Sequence, residues 1–154
     1  AIDTVMKRNL RNVFCPIRPP GHHAGPRGAI AEAGSQSHGF CIFNNISLAG
    51  SYVMNRYRDT VKKIVIVDFD VHHGNGTEET VKWLKPGVTK ENVSSELVSM
   101  TLQAPRYKPW FSEHDTENVL FISVHGYGPR ARGYEHLFPL AAFYPGSGPT
   151  KIPE

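Results

Sequence analysis

Histidine and aspartate side chains in one short segment have the types and spacing of a catalytic metal site. The segment reads Asp68-Phe69-Asp70-Val71-His72-His73-Gly74-Asn75. In an extended chain alternate side chains share a face, which would place Asp68, Asp70 and His72 together. A carboxylate and a neutral imidazole suit zinc and similar metals, and a catalytic zinc site keeps about three protein ligands and one open position. We therefore predict Asp70 and His72 as two ligands of an incomplete set.

The alternative for this segment is a polar loop whose histidines only form hydrogen bonds with the backbone. Crowding two acids and two histidines against an apolar strand is costly without a metal or another partner, because charged and polar groups lose their hydration. This cost favours the metal site.

A second pair of histidines, His22 and His23, directly follows the turn Arg18-Pro19-Pro20-Gly21. A pair of this kind is more often part of a surface loop, since a two-residue motif has low specificity. Next to a metal site a catalytic role is favoured over a surface loop, because imidazole is suited to accept a proton from water near neutral pH. The pair is thus a candidate acid–base group.

These residues require a sheet to position them. Ile64, Val65, Ile66 and Val67 are consecutive β-branched residues, typical of a parallel strand that is buried on both faces. Residues 118–125 form a second strand of this kind. Open α/β sheets bind ligands at the carboxyl ends of their strands, where the polar residues of both segments lie. The sequence therefore predicts an α/β fold with a mostly parallel sheet.

Helical periodicity and capping residues predict the connecting elements. Residues 1–10 read as the end of a helix and 12–17 as a short strand, and an amphipathic helix capped by Asn44 or Asn45 follows. This order would form a βαβ unit with the strand at 64–67. A further helix is expected over 77–83, capped by Asn75 or Thr77, with Glu78 and Glu79 in its first turn.

The remaining stretches lack a clear period. Residues 24–38 read as a glycine-rich loop with a solvated His38, and residues 84–116 and 126–140 as long loop insertions.

Composition excludes several classes of protein. The chain has 154 residues, 40% of them hydrophobic and 20% charged, which fits a soluble globular domain. A net charge of +3 with scattered basic residues gives no support for direct nucleic-acid binding. No apolar run reaches the length of a membrane span, so we expect no membrane association. Cys15 and Cys41 form neither a metal spacing nor a disulfide framework, which fits a reducing compartment.

Five sequence blocks together carry a family resemblance. In chain order they are Arg18-Pro19-Pro20-Gly21-His22-His23-Ala24, Gly39-Phe40-Cys41-Ile42-Phe43-Asn44-Asn45, Asp68 to Thr77, Ser123-Val124-His125 and Phe143-Tyr144-Pro145-Gly146. This order resembles that of zinc-dependent histone deacetylases, and Pro-Pro-Gly with Asn75 resembles the class II branch. The resemblance implies a three-layer α/β/α fold of the arginase/deacetylase kind. It also implies that residues 1–154 are the central part of a catalytic domain, incomplete at both ends.

The resemblance implies a role for each matching catalytic residue. Asp70 and His72 would bind zinc, and Asp68 would orient His22 through a hydrogen bond. His23 would act as general base and then as general acid. Asn75 stands where other branches have a carboxylate partner for this histidine, so we expect His23 to be less basic here.

Further residues match the family's substrate and cation sites. Phe40 and Tyr144 would be the aromatic walls of a channel for the acetyl-lysine stem, and Gly39 would offer its carbonyl group to the substrate. Ser123 and Asp68, with nearby carbonyl groups, would hold a structural monovalent cation such as K⁺.

The implied function is zinc-dependent hydrolysis of the acetyl amide of N6-acetyl-lysine in histones or other proteins. Acetylated histone tails and corepressor subunits would be the partners, in the nucleus or the cytoplasm. Two alternatives remain open. One is a deacetylase of the same fold that acts on acetylated polyamines or other small amides. The other is a non-catalytic acyl-lysine-binding scaffold, in which loss of Asp70, His72 or His23 would be expected.

Two functional groups of the family have no counterpart before Glu154. One is the third zinc ligand, an aspartate, and the other is a tyrosine or histidine that stabilises the transition state. Since two ligands do not complete a tetrahedral set, we expect this chain by itself to be weakly folded and inactive.

Overall fold

The computed structural model describes residues 1–27, 39–95, 97–126 and 144–145, which contain both helices and strands. This arrangement agrees with the predicted α/β class. The elements are α1 (Ile2–Met6), α2 (Asn45–Arg56), β1 (Ile64–Asp68), α3 (Asn75–Lys82), β2 (Gly87–Ser94), β3 (Ser99–Arg106), α4 (Asp115–Asn118) and β4 (Val119–Ser123).

Strands β1 and β4 pair in parallel, as their sequence pattern predicted. The register sets Ile64 beside Val119 at one end and Asp68 beside Ser123 at the other. The polar carboxyl ends of the two strands therefore lie next to each other, which is the edge where α/β sheets bind ligands.

The two-sided burial predicted for these strands is wrong for the described part of the chain. Ile66 of β1 is buried, but Val65 and Val67 on the opposite face are 59% and 54% exposed. Leu120 and Ile122 of β4 continue this exposed face. Side chains of alternate residues point to opposite faces, and the described elements cover only one of them.

The strand predicted at residues 12–17 does not form. Phe14 is 89% exposed, and the parallel sheet of the described residues contains only β1 and β4. An extended segment becomes a strand only when a neighbour satisfies its backbone hydrogen bonds. The predicted βαβ unit around α2 is accordingly absent from the described residues, and the parallel connection runs from β1 through α3 to β4.

Helix α2 begins after Asn44, whose side-chain oxygen accepts a hydrogen bond from the Ser47 amide at 3.1 Å. This cap confirms one of the two predicted candidates. The buried residues of the helix are Ser47, Gly50 and Met54. The apolar side chains of Ile46, Leu48 and Tyr52 are exposed. Gly50 is required here because an added Cβ would lie 2.7 Å from the ring of Trp110.

Helix α3 begins two residues earlier than predicted, and its N-cap is Gly74. Neither predicted cap is used. The Asn75 side chain contacts His23 instead, and the Thr77 amide donates to the His22 carbonyl at 3.0 Å. Helix α3 therefore holds the segment that carries the two histidines.

Strands β2 and β3 form an antiparallel hairpin within 84–116, where no regular structure was predicted. The base of the hairpin contacts the rest of the fold through Lys108, whose ammonium donates to the Pro26 carbonyl at 2.6 Å. The buried Trp83 ring lies between Lys108 and Arg27, whose charged groups are 5.3 and 5.7 Å from its ring centroid.

The other predicted loops lie almost entirely outside the described residues. These include most of 24–38 with His38, and all of 126–140 except Gly126. Within the described ranges, each helix is too short or too polar to cross a membrane.

Candidate active site

The segment after β1 is a loop and not an extended strand, so the predicted alternation of its side chains is wrong. β1 ends at Asp68, and two successive side-chain contacts then shape the chain. Asp68 Oδ1 accepts from the Asp70 amide at 3.1 Å, and Asp70 Oδ1 accepts from the His72 amide at 2.8 Å. Aspartate side chains commonly stabilise turns in this way. The loop nevertheless brings the side chains of Asp68, Asp70 and His72 together, as predicted.

The donor atoms of Asp70 and His72 are suitably placed for one metal ion. Asp70 Oδ1 and His72 Nδ1 lie 3.2 Å apart. Two ligand atoms at about 2.0–2.1 Å from a tetrahedral zinc would be about 3.3 Å apart. In the described part of the chain, no group of three or more His, Cys, Asp or Glu side chains is arranged to hold a metal. The two residues thus fit two positions of a zinc site.

His22 is oriented by a carboxylate, as predicted. Its Nδ1 lies 2.8 Å from Asp68 Oδ2, and its Nε2 lies 3.8 Å from Asp70 Oδ1. Burial raises the pKa of Asp68, but hydrogen bonds from His22 and the Asp70 amide outweigh burial and hold this pKa below its usual value. Asp68 is therefore a carboxylate near neutral pH and accepts a hydrogen bond from the Nδ1–H group of His22.

His23 is buried, and its Nδ1 lies 2.7 Å from Asn75 Oδ1. Because an amide oxygen only accepts, Nδ1 carries the proton, and Nε2 of the neutral ring is free to accept one. Burial lowers the pKa of His23, and the neighbouring His22 and His72 lower it further, while Asn75 opposes them. His23 therefore stays neutral, and able to act as a base, to a lower pH than an exposed histidine.

Gly39 allows the chain to pass close to His23. Its φ is +52°, and an added Cβ would lie 2.5 Å from Cδ2 of His23. Both the backbone conformation and the lack of space exclude larger residues. The family resemblance implies a contact between Gly39 and the substrate, and in the structure Gly39 borders the candidate base.

The two predicted aromatic walls differ in their surroundings. The Tyr144 ring stands edge-on to His23 and His72, with centroid distances of 4.9 and 5.4 Å. Phe40 has a φ of +67°, and its side chain is 85% exposed. Tyr144 therefore lies at the candidate site, and Phe40 lies at the surface directly after Gly39.

The two predicted cation ligands are register partners, since Asp68 of β1 lies beside Ser123 of β4. The Ser123 hydroxyl is 2.9 Å from His125 Nδ1 and accepts from the Gly74 amide at 3.4 Å. The backbones are joined by a hydrogen bond of 2.8 Å from the Val124 amide to the Asp68 carbonyl. The oxygen atoms that a monovalent cation would use thus belong to adjacent strand ends.

One interaction at the site was missed from the sequence. His73 is buried and its Nε2 lies 2.7 Å from Glu78 Oε2, while its ring packs on His125 at a centroid distance of 4.6 Å. The hydrogen bond from His73, assisted by Lys82 and opposed by burial, lowers the pKa of Glu78 to about 2. The sequence signal was the position of Glu78 in the first turn of a helix that starts beside His73.

The sequence of this chain is similar to those of known histone deacetylases. A family model described as the histone deacetylase domain matches residues 1–152. Type-2 histone deacetylase 1 of Dictyostelium discoideum is 51% identical over 79 residues, which are 51% of this chain and 5% of that protein. Histone deacetylase clr3 of Schizosaccharomyces pombe is 42% identical over 81 residues, or 51% of this chain and 11% of that protein.

The crystal structure of the HDA15 HD domain is similar in fold. Its TM-score is 0.51 at 31% identity, and the match covers 95% of this chain and 27% of that chain. The chain thus spans only a small part of the relatives and of the solved domain that it matches.

Proposed function

Because the chain belongs to the histone deacetylase family, we propose that it is part of a zinc-dependent enzyme that hydrolyses the acetyl amide of N6-acetyl-lysine in histones or other proteins. The observation that most supports this proposal is that His22 and His23 lie next to Asp70 and His72, whose side chains carry metal-ligating atoms. All four residues lie at one end of the sheet. His23 Nε2 is available as a base, and Asp70 and His72 present donor atoms 3.2 Å apart.

His23 would take the proton from the attacking water. Its Nδ1–H is fixed by Asn75, so that Nε2 presents its lone pair, and its lowered pKa keeps the ring neutral. After the attack, the protonated ring would deliver its proton to the departing lysine amine. His22 would remain largely electrostatic, because its Nδ1 is held by the Asp68 carboxylate.

Asp70 and His72 would hold the zinc ion, together with a ligand from outside the described residues. When bound there, zinc would supply Lewis acidity toward the acyl carbonyl group and would lower the pKa of a water molecule.

Tyr144 would form one wall of the path for the lysine stem. Its ring stands edge-on to both His23 and His72, so an aliphatic chain beside it would lead to the reacting groups. Each methylene removed from water there contributes about 0.8 kcal/mol. Phe40 is the proposed second wall, and Gly39 would accept a hydrogen bond from the substrate through its carbonyl group.

Asp68 and Ser123 would hold a monovalent cation behind the zinc site. Acetylated histone tails are the proposed substrates, corepressor subunits the proposed partners, and the nucleus or cytoplasm the proposed location.

The decisive experiment measures acetate release from an acetyl-lysine histone-tail peptide and from an acetylated polyamine. It uses the chain extended through the rest of its reading frame, referred to below as the extended protein. Turnover of the peptide, loss of turnover in His23→Ala and full activity in the exposed control His114→Ala are expected. Turnover of the polyamine alone would contradict a protein substrate. Peptide binding without acetate release would contradict an enzyme.

A further inference from the structure

The segment that carries His22 and His23 passes between the start of helix α2 and the start of helix α3. On one side Gly21 lies against the chain before α2, where an added Cβ would be 2.5 Å from the Phe43 carbonyl oxygen. On the other side an added Cβ on Gly76 of α3 would be 2.5 Å from the carbonyl carbon of His23. The two glycines therefore allow both helices to approach the backbone of this segment closely.

Asn44 and Thr77 hold the carbonyl groups of the two residues on either side of His23. The Thr77 amide donates to the His22 carbonyl at 3.0 Å, and the Thr77 hydroxyl donates to the same oxygen at 3.5 Å. The side-chain amide of Asn44 donates to the Ala24 carbonyl at 2.9 Å and to the Thr77 hydroxyl at 3.0 Å. One pair of residues thus fixes the backbone before and after the proposed base.

Both residues of this pair are buried, with exposed fractions of 8% for Asn44 and 0% for Thr77. The side-chain oxygen of Asn44 also caps α2, so both polar atoms of the side chain form hydrogen bonds. A connected network of this kind resists movement, because breaking one bond leaves a buried polar group without its partner. Asn75, two residues before Thr77, holds the ring of His23. The start of α3 therefore fixes both the backbone and the ring of the base.

We propose that Asn44 and Thr77 are positioning residues, which hold the His23 ring in place for proton transfer through the backbone of residues 22–24. This inference rests on the proposed function, in which His23 is the base. A reacting group must be held within about 0.5 Å of its productive position, and a displacement of about 1 Å reduces the rate by about 100-fold. Loss of either side chain should therefore slow the reaction itself.

Two substitutions test this role. Asn44→Ser loses the contacts with Ala24 and Thr77, but serine caps a helix about as well as asparagine. Thr77→Val keeps the size of the side chain and the backbone amide, but loses the hydroxyl group, which Thr77→Ser retains. Two controls separate positioning from stability. Thr80→Val removes a hydroxyl group from the same helix, and Met54→Ala removes buried side-chain volume from α2.

Initial rates and NMR spectra of the extended protein with isotopically labelled histidine measure activity and ring position independently. We expect Asn44→Ser and Thr77→Val to lower kcat about 10- to 100-fold with little change in KM. Thr77→Ser and both controls should keep wild-type kcat at a temperature at which circular dichroism shows them folded. In wild type, His23 should be the single tautomer with its proton on Nδ1, as the contact with Asn75 requires. In Asn44→Ser and Thr77→Val it should be a mixture of both tautomers.

Three results would overturn the proposal. The first is wild-type kcat in folded Asn44→Ser or in folded Thr77→Val, each of which is decisive if the other does not fold. The second is an equal loss of kcat in Thr80→Val or Met54→Ala, since the loss would then follow from stability alone. The third is an unchanged His23 tautomer in both variants. Lack of acetyl-lysine hydrolysis by the wild-type extended protein would contradict the proposed function instead, and the tautomer would still decide whether Asn44 and Thr77 hold the ring.

Discussion

Nδ1 of His23 lies 2.7 Å from the side-chain oxygen of Asn75, across 52 positions of sequence. This contact joins the loop after the Pro-Pro-Gly turn to the first residue of α3. It also determines the electrostatic environment of His23, the proposed base, because its partner Asn75 is a neutral amide and not a carboxylate.

Replacing Asn75 with aspartate should raise the pKa of His23. A carboxylate beside Nδ1 stabilises the imidazolium form, whereas the amide only accepts a hydrogen bond. An NMR titration of the His23 ring in the extended protein measures this pKa in both forms. Asn9→Asp adds the same charge at an exposed position and should leave the pKa unchanged. Equal His23 pKa values in wild type and Asn75→Asp would refute the expectation.

Replacing Asp68 with asparagine should lower deacetylation or zinc affinity by about 10- to 100-fold. The substitution keeps the shape but removes the charge that fixes His22 at 2.8 Å. Metal content and turnover should be measured on the same sample, so that the two losses are distinguished. A variant with wild-type values of both would show that the His22–Asp68 contact is dispensable.

Gly39→Ala should reduce turnover and destabilise the fold by about 1–3 kcal/mol. The added Cβ would meet the His23 ring at 2.5 Å, and the φ of +52° disfavours alanine. Gly25→Ala is the control, because its nearest neighbour is the flexible end of Glu79 at 3.0 Å. Thermal unfolding and initial rates measure both effects. Similar behaviour of the two variants would contradict the proposed close approach.

Glu78→Gln should destabilise the extended protein at pH 7 by about 1 kcal/mol, a value that allows for solvent screening of a partly exposed pair. The pKa of Glu78 is lowered from 4.5 to about 2, so its contribution is present above pH 4.5 and is lost as the pH falls towards 2. Urea unfolding at pH 7 and pH 3 should show the difference from wild type shrinking. The exposed control Glu113→Gln should show little change at either pH. A difference that grows with acidity would have the wrong sign.

The sequence alone predicted the parts of the site whose residues lie close together along the chain. Asp68, Asp70 and His72 follow a β-branched strand, and such strands end at the ligand edge of a parallel sheet. The His22–Asp68 and His23–Asn75 contacts came from the family resemblance. Their partners are 46 and 52 residues apart, and periodicity alone does not pair such positions.

The failed expectations share a physical cause. A β-branched run predicts burial on both faces, but burial of Val65 and Val67 requires elements that the described residues do not supply. Residues 12–17 similarly have no neighbouring strand among the described residues to pair with their backbone groups. The β2–β3 hairpin was missed because its strands are mostly exposed and mix polar with apolar residues, which weakens the alternation on which strand prediction depends.

The zinc content of the purified protein tests the central claim most directly. Native mass spectrometry should detect one zinc ion per extended protein, and Asp70→Asn and His72→Ala should each lose it together with acetyl-lysine hydrolysis. The 154-residue chain alone should bind zinc weakly and be inactive, because it offers two of the expected ligands. Hydrolysis by an extended protein that holds no zinc, or zinc retained in both variants, would contradict the account.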